Sequence, residues 1–223
     1  MRTRIAPTPS GYLHLGNLVN FVLTANFARD NDLHLALRID DEDVSRVRPE
    51  YEADISRVLT WLEITPMETM HTNNPDRYRP FLQQLQTYVC RCARNSTDCR
   101  CSGAEFPYEA GVSAVKTHLA GAEVVVWRRE DIPSYHLVNV VEDHEMRITH
   151  VIRGEDLRPS SSLHRALALT LGFTPPTYLH HSLVTDGRGT KLSKSTLRSG
   201  APLQLDEPLR VHVDRLAQGS ALS

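Results

Sequence analysis

Three groups of residues in this chain combine types and spacings that suit chemistry. Near the N-terminus, RIAPTPSGYLHLGN sets two prolines, two glycines and His14 directly before a helical run. A strand, a glycine-bearing turn and a helix N-terminus make an anion site, because backbone N–H groups and the helix dipole face the ligand and glycine permits close approach. Gly16 and Asn17 stand where such a helix begins, and His14 is placed to donate to a phosphate oxygen. The same residues would equally serve as the cap of an ordinary surface helix. Late in the chain, TDGRGTKLSKS carries Lys191 and Lys194 among glycines and small hydroxyl residues. Two lysines so spaced suit a loop that closes on a polyphosphate, and also a solvated basic turn.

The third group is YVCRCARNSTDCRC, which holds all four cysteines: Cys90, Cys92, Cys99 and Cys101. In a reducing compartment such clustering reads as a metal site, and two C-x-C arms can bring four thiolates to one tetrahedral Zn²⁺. The commoner knuckle is C-x2-C, so free or partly oxidised thiols are the alternative. Nothing here suggests a catalytic cysteine, since none stands apart with its own base. One further residue is conspicuous: Asn139 interrupts the apolar run VNVV. A buried amide is costly unless paired, which points to a ligand-facing role.

The elements that must position these groups follow from the apolar pattern. Residues 2–6 form a short strand ended by Pro7, and Leu18, Phe21, Val22, Ala25 and Ala28 follow helical spacing. LHLALRI (33–39) alternates as a strand, and Pro49 opens a helix striped by Tyr51, Ile55, Val58, Leu59 and Leu62. Tyr78, Phe81, Leu85 and Tyr88 are spaced as a helix leading into the cysteines. Residues 102–122 are weakly patterned and resemble an insert. Strands resume at 123–127, 135–141 and 146–152, then a serine-capped helix closes at Gly172 and a last strand spans YLHHSLV. The tail from 199 to 223 is only weakly helical. Strands alternating with helices give an α/β fold with a largely parallel sheet.

Bulk properties narrow the class without choosing a function. The chain has 223 residues, 40% of them hydrophobic, and a formal charge of −2. That allows a real core and shows no global basic excess, although a local basic stripe is enough for nucleic acid. MRTRIAPTPS has no apolar run like a signal peptide, and no stretch approaches the roughly 20 apolar residues of a membrane span. A cytoplasmic protein with no membrane contact is expected.

Taken together, the motifs resemble one family. HLGN (14–17) is similar to the HIGH signature and KLSKS (191–195) to the KMSKS signature of class I aminoacyl-tRNA synthetases. RIAPTPSGYLHLGN resembles the opening of glutamyl-tRNA synthetases, RIDDED (38–43) their RIED-type strand end, and PSYHLVNVVEDHEMRITHVIRGEDL (133–157) their second-half core. These ordered blocks lie within residues 2–72 and 123–196. The chain is identified as a member of the glutamyl-tRNA synthetase family. Its length and its cysteine cluster after Tyr-Val are most similar to the family's truncated glutamyl-Q branch, which lacks an anticodon-binding domain and glutamylates queuosine in tRNA(Asp).

The resemblance implies a Rossmann-like catalytic domain interrupted by a short cysteine-containing insert. Its first half would be 1–72, the insert 73–122, the second half with the KLSKS loop 123–198, and 199–223 a short C-terminal tail. It implies activation of glutamate by ATP with Mg²⁺, followed by transfer to a tRNA hydroxyl. His14, Gly16 and Asn17 would hold the phosphates, and Lys191 and Lys194 would neutralise charge developing in the transition state. Arg4, Ala6, Thr8, Asp40, Tyr135, Asn139 and Arg153 match the glutamate pocket. Asp40 takes the place of the family's glutamate as partner of the ammonium, one methylene shorter. A monomer is expected, with zinc as a structural metal. The alternatives are a paralog that acylates a non-tRNA acceptor and a catalytically silent one that binds nucleotide or amino acid.

Overall fold

The computed structural model describes residues 1–92, 101, 104–183 and 201–223. In chain order its strands are β1 (Arg2–Ile5), β2 (His34–Ile39), β3 (Glu68–His71), β4 (Thr87–Cys90), β5 (Ala114–Leu119), β6 (Ala122–Trp127), β7 (His150–Gly154) and β8 (Thr177–His181). The helices are α1 (Leu15–Asp30), α2 (Pro49–Trp61), α3 (Arg79–Leu82), α4 (Tyr135–Glu145), α5 (Arg158–Thr170) and α6 (Glu207–Gln218). The chain divides into two compact units: Met1–Asn73 with Ile148–Arg158 and Pro176–Ser223, and Asn74–Arg147 with Pro159–Pro175. Among the described residues no helix is long and apolar enough to cross a membrane.

The first unit is built on parallel strands. β1 pairs with β2 and β2 with β3, while β7 pairs with β8. β7 runs beside β1, where Thr149 N–H donates to the Arg2 carbonyl at 2.9 Å. The three-stranded group β3-β2-β1 and the two-stranded group β7-β8 thus lie side by side, and the strand order reverses between β1 and β7. Ligands of open α/β sheets bind at such a switch point, beyond the carboxyl ends of the strands. β2 is buried on both faces from Leu35 to Ile39, as a central parallel strand should be. Its apolar alternation shows one of those faces; the other carries Ala36 and Arg38, both fully buried.

Helix starts in this unit follow elementary capping. Pro49 opens α2, with Glu50 and Glu52 in the first turn where the dipole favours acids. The tail is more ordered than its weak pattern suggests: Asp206 caps α6 by accepting from Leu209 N–H at 2.9 Å. Val213 and Ala217 enter the same core as Leu18, Val19 and Phe21 of α1. Ser223 exchanges two backbone hydrogen bonds of 3.0 Å with His180 on β8.

The second unit packs antiparallel β4-β5-β6 with α4 and α5 around Tyr78, Val126, Trp127, Leu137, Val141 and Leu167. Three expectations from the sequence are overturned in α4, in the turn before β4 and at the start of β7. Residues 135–141 are not a strand but the start of α4, whose N-cap Ser134 accepts from Leu137 N–H at 3.3 Å. A short apolar run does not distinguish strand from buried helix, and the cap decided it. The strand expected at 146–152 begins later, at His150, because Met146 closes α4. The helix expected from Tyr78 to Tyr88 is a 3₁₀ turn and the single-turn α3, after which the chain enters β4. Gly172 does follow α5 in the left-handed region, φ +73°, as a C-cap glycine should.

Candidate active site

In the first unit the segment from Ala6 to Leu13 joins β1 to α1 across the carboxyl end of the sheet, and neighbouring elements hold it down. The Pro7 carbonyl accepts from Asp40 N–H at 3.0 Å and the Pro9 carbonyl from Arg48 N–H at 3.4 Å. Leu13 N–H donates to Asp54 Oδ2 at 2.9 Å. Ala6 and Thr8 are half-buried in this stitched segment, and Ser10 N–H turns back to the Thr8 carbonyl at 2.8 Å.

His14 is the N-cap of α1. Its Nδ1 accepts from Gly16 N–H at 3.1 Å, and Asn17 Oδ1 accepts from His14 N–H at 3.0 Å. Since Nδ1 is an acceptor, a neutral ring carries its proton on Nε2, as a donor. No acidic residue lies in the first turn of α1, so the positive end of the helix is not neutralised from within. His14, Gly16 and Asn17 thus form one hydrogen-bonded helix start with the features of an anion site. Lys191 and Lys194 lie outside the described residues.

Two buried arginines flank the switch point. Arg4 on β1 and Arg153 on β7 are 5% and 4% exposed, each one residue before the last of its strand. The Arg153 guanidinium lies 4.9 Å from the ring centre of Tyr178 on β8. His180, paired in register with Arg153, is held below the ordinary histidine pKa by burial first, then by the Arg158 and Arg153 charges. Asp40 sits at the end of β2 and is bound by Arg38, Nε to Oδ1 2.7 Å, with both side chains buried. Burial, then the Asp40 charge, pushes the Glu42 carboxyl above its usual value.

Tyr135 and Asn139 belong to the second unit. The Tyr135 ring packs against His136 and His164, with centroid distances of 5.5 and 5.4 Å. Asn139 is 2% exposed, and its amide donates to the Tyr135 carbonyl one helical turn back, at 3.2 Å. Its burial therefore has a local partner that a strand reading would not supply.

In the same unit the thiol groups of Cys90, Cys92 and Cys101 converge, their sulfurs all within 4.8 Å of one another. Cys92 and Cys101 stand Sγ to Sγ 3.4 Å apart, and Cys90 and Cys101 are buried. A tetrahedral zinc with Zn–S bonds of about 2.3 Å spaces its sulfurs by roughly 3.8 Å, so this cluster fits such an ion. Cys99 lies outside the described residues.

Several residues that build this site carry little or no motif signal in the sequence. Asp54 is 3% exposed, and it stands one turn from both Tyr51 and Val58 on the buried face of α2. A carboxylate in an apolar stripe was the available signal. Arg38 was hidden in the same way, on the second buried face of β2. Asn20 and His181 carried no such signal: Asn20 Nδ2 donates to the Ile152 carbonyl at 3.3 Å and lies 3.2 Å from His181 Nε2.

The parallel sheet, the switch point and the capped helix start define a nucleotide-binding α/β fold of the class I synthetase type. The chain belongs to the family of class I tRNA synthetases (E and Q), catalytic domain, which it matches over residues 1–99 and 112–205. These are enzymes, ATP-dependent ligases that use Mg²⁺. The glutamyl-Q tRNA(Asp) synthetase of Rhodobacter capsulatus is 31% identical, over 87% of this chain and 91% of that protein. A glutamate–tRNA ligase of Protochlamydia amoebophila is also 31% identical, again over 87% of this chain but 50% of the relative. Among solved structures, a glutamate–tRNA synthetase from Elizabethkingia anophelis superimposes with a TM-score of 0.70 at 26% identity, covering 87% of this chain and 52% of that one. A glutamate–tRNA ligase from Elizabethkingia meningosepticum, solved in complex with its amino acid, gives 0.69. The chain thus spans about half the length of the glutamate–tRNA ligases it matches.

Proposed function

We propose that the chain activates glutamate with ATP and transfers the glutamyl group to a tRNA, with queuosine of tRNA(Asp) as the acceptor. The observation that carries the activation step is the helix start, where Nδ1 of His14 is occupied by Gly16 N–H and Nε2 is the ring's donor. Similarity to the Rhodobacter relative over 91% of its length supports the choice of acceptor.

In the first step an oxygen of the glutamate α-carboxylate attacks the α-phosphorus of ATP. The bond from that phosphorus to the bridging oxygen of pyrophosphate breaks, leaving glutamyl-adenylate. In the second, a hydroxyl of the acceptor attacks the acyl carbon and AMP leaves. His14 and the start of α1 hold phosphate oxygens, and Lys191 and Lys194 balance the charge that builds on them during attack. Mg²⁺ enters with the triphosphate and shares that charge. Arg4 and Arg153 are the cations of the amino-acid site, where a planar guanidinium grips a carboxylate through two hydrogen bonds. Asp40, oriented by Arg38, accepts from the ammonium, and Ala6 and Thr8 line the segment above β1. Positioning and charge compensation make up the protein's share of the chemistry. Zinc at the cysteine cluster, completed by Cys99, would brace the end of β4.

Glutamate-dependent exchange of labelled pyrophosphate into ATP, with and without bulk tRNA, tests the reading. Exchange with glutamate and without tRNA is expected, together with glutamyl transfer to queuosine-containing tRNA(Asp). No exchange with any of the twenty amino acids by metal-replete protein would favour a silent paralog. Exchange without transfer to tRNA would favour another acceptor.

A further inference from the structure

The carboxylate of Asp54 is buried on the apolar face of α2 and accepts from the backbone N–H of Leu13, forty-one residues earlier, at 2.9 Å. Leu13 is the residue before His14 and is itself 3% exposed. Two successive N–H groups are therefore held by side-chain oxygens from two helices: that of Leu13 by Asp54 of α2, and that of His14 by Asn17 of α1. The peptide groups on either side of Leu13 are each held by a side chain, which fixes the backbone leading into His14, and Gly16 N–H, donating to Nδ1, sets the ring. The other oxygen of Asp54 takes two bonds from Arg57, at 2.6 and 3.2 Å, which offset the buried charge. Arg57 Nη2, the nearer of the two donors, also donates to the Leu203 carbonyl at 3.1 Å. A carboxylate at this cost of desolvation, bonded to one particular backbone N–H, has more than a packing role.

We propose that Asp54 is a positioning residue for the activation step: through Leu13 N–H it fixes His14 for the triphosphate, and through Arg57 it ties that geometry to the chain at Leu203. The inference rests on the reading that His14 meets ATP. Asp54 touches neither substrate, so its effect must pass through His14 and fall on ATP rather than on glutamate. Misplacing a phosphate-binding group is costly even when every group is present.

The test is pyrophosphate-exchange kinetics on the intact chain carrying Asp54→Ala, Asp54→Asn, His14→Ala, and Asp54→Ala with His14→Ala. Asp54→Ala should lower kcat/KM for ATP about tenfold or more, with KM for glutamate changed less than about twofold. Asp54→Asn keeps an oxygen at the same reach and should recover most of the loss. In the His14→Ala background, Asp54→Ala should add little, because coupled residues are not additive. Should Asp54→Ala fail to fold, Asp54→Ser takes its place, since its oxygen is one bond too short for Leu13. A serine variant as active as the asparagine variant overturns the proposal. So do additive effects of Asp54 and His14, or equal losses for ATP and glutamate. Exchange that is absent, or indifferent to His14→Ala, overturns the reading of the site and this inference with it. Exchange that needs His14 but ignores Asp54 overturns this inference alone.

Discussion

Arg38 near the end of β2 and Asp40 just beyond it form a buried ion pair, with Nε to Oδ1 at 2.7 Å and Nη2 to Oδ2 at 3.4 Å. The guanidinium is built into the sheet, and the carboxylate follows from it. The shorter side chain at position 40, where the resembling family has glutamate, is thus held by a neighbour and not by its own length.

Breaking that pair from one side leaves a buried charge without its partner, which costs about 3–5 kcal/mol. Arg38→Gln should lower unfolding stability by that order in urea titrations. Replacing both residues, as Arg38→Met with Asp40→Leu, should restore much of it while abolishing glutamate activation. A single variant as stable as the wild type would show that the pair contributes nothing to folding.

Lys194 and the buried arginines should separate in kinetics. Lys194→Ala is expected to reduce exchange about 10²-fold or more while leaving glutamate affinity nearly unchanged, because charge on the phosphates grows only in the transition state. Arg153→Ala should instead weaken glutamate binding at least about tenfold, since a substrate carboxylate loses a charge-assisted partner. Equilibrium binding of glutamate, measured apart from exchange, decides the matter; equal loss in both variants would sink the division.

Much of the first unit was legible because its signals are local. Pro7, His14 and Pro49 mark where β1 ends and where α1 and α2 begin, and the apolar spacing does the rest. The second unit was harder because its short segments depend on partners. The run 135–141 is apolar enough for a strand; packing of Leu137, Val138, Val140 and Val141 settles it as a helix, whose start Ser134 marks by accepting from Leu137 N–H. α6 was under-read although Asp206 and Pro208 form a helix-start pattern, because the stripe of Val213 and Ala217 is brief. In the site, residues that match motifs were visible. Residues that act through backbone, such as Asp54 on Leu13, have no motif and need the fold to be seen.

Glu42 gives a pH signature with a defined sign. Burial, then the Asp40 charge, raises its pKa above the ordinary 4.5, partly opposed by hydrogen bonds from its own backbone and from Thr72. The folded state therefore keeps this proton longer than the unfolded chain does. Its contribution to stability is fully present below the unfolded value and is lost as pH rises through the folded one. Glu42→Gln, neutral throughout, should melt higher than the wild type near neutral pH, and the two should converge in acid. A variant that melts lower near neutral pH would contradict this.

The cysteine cluster makes the most exposed prediction. Sulfurs of Cys90, Cys92 and Cys101 within 4.8 Å of one another supply three corners of a tetrahedron, and Cys99 is the remaining thiol of the chain. A cavity of about 280 Å³ borders Cys90 and Cys92; Lys116, Arg128, Arg129 and Glu130 line it, with Lys116 paired to Glu123 and Arg128 to Glu130. Arg129 also donates to the Cys92 carbonyl, which fixes the backbone that carries the second sulfur. One Zn²⁺ per chain is expected by elemental analysis of protein purified without chelator or metal column. Removing it should lower the melting temperature and expose four titratable thiols, because metal binding to a structural site is part of the folding free energy. Cys90→Ser should reproduce the loss of metal while leaving glutamate-dependent exchange measurable at lower temperature, since His14, Arg4 and Arg153 lie in the other unit. Zinc well below one per chain, with all four thiols reactive in the native protein, would show that these cysteines hold no metal.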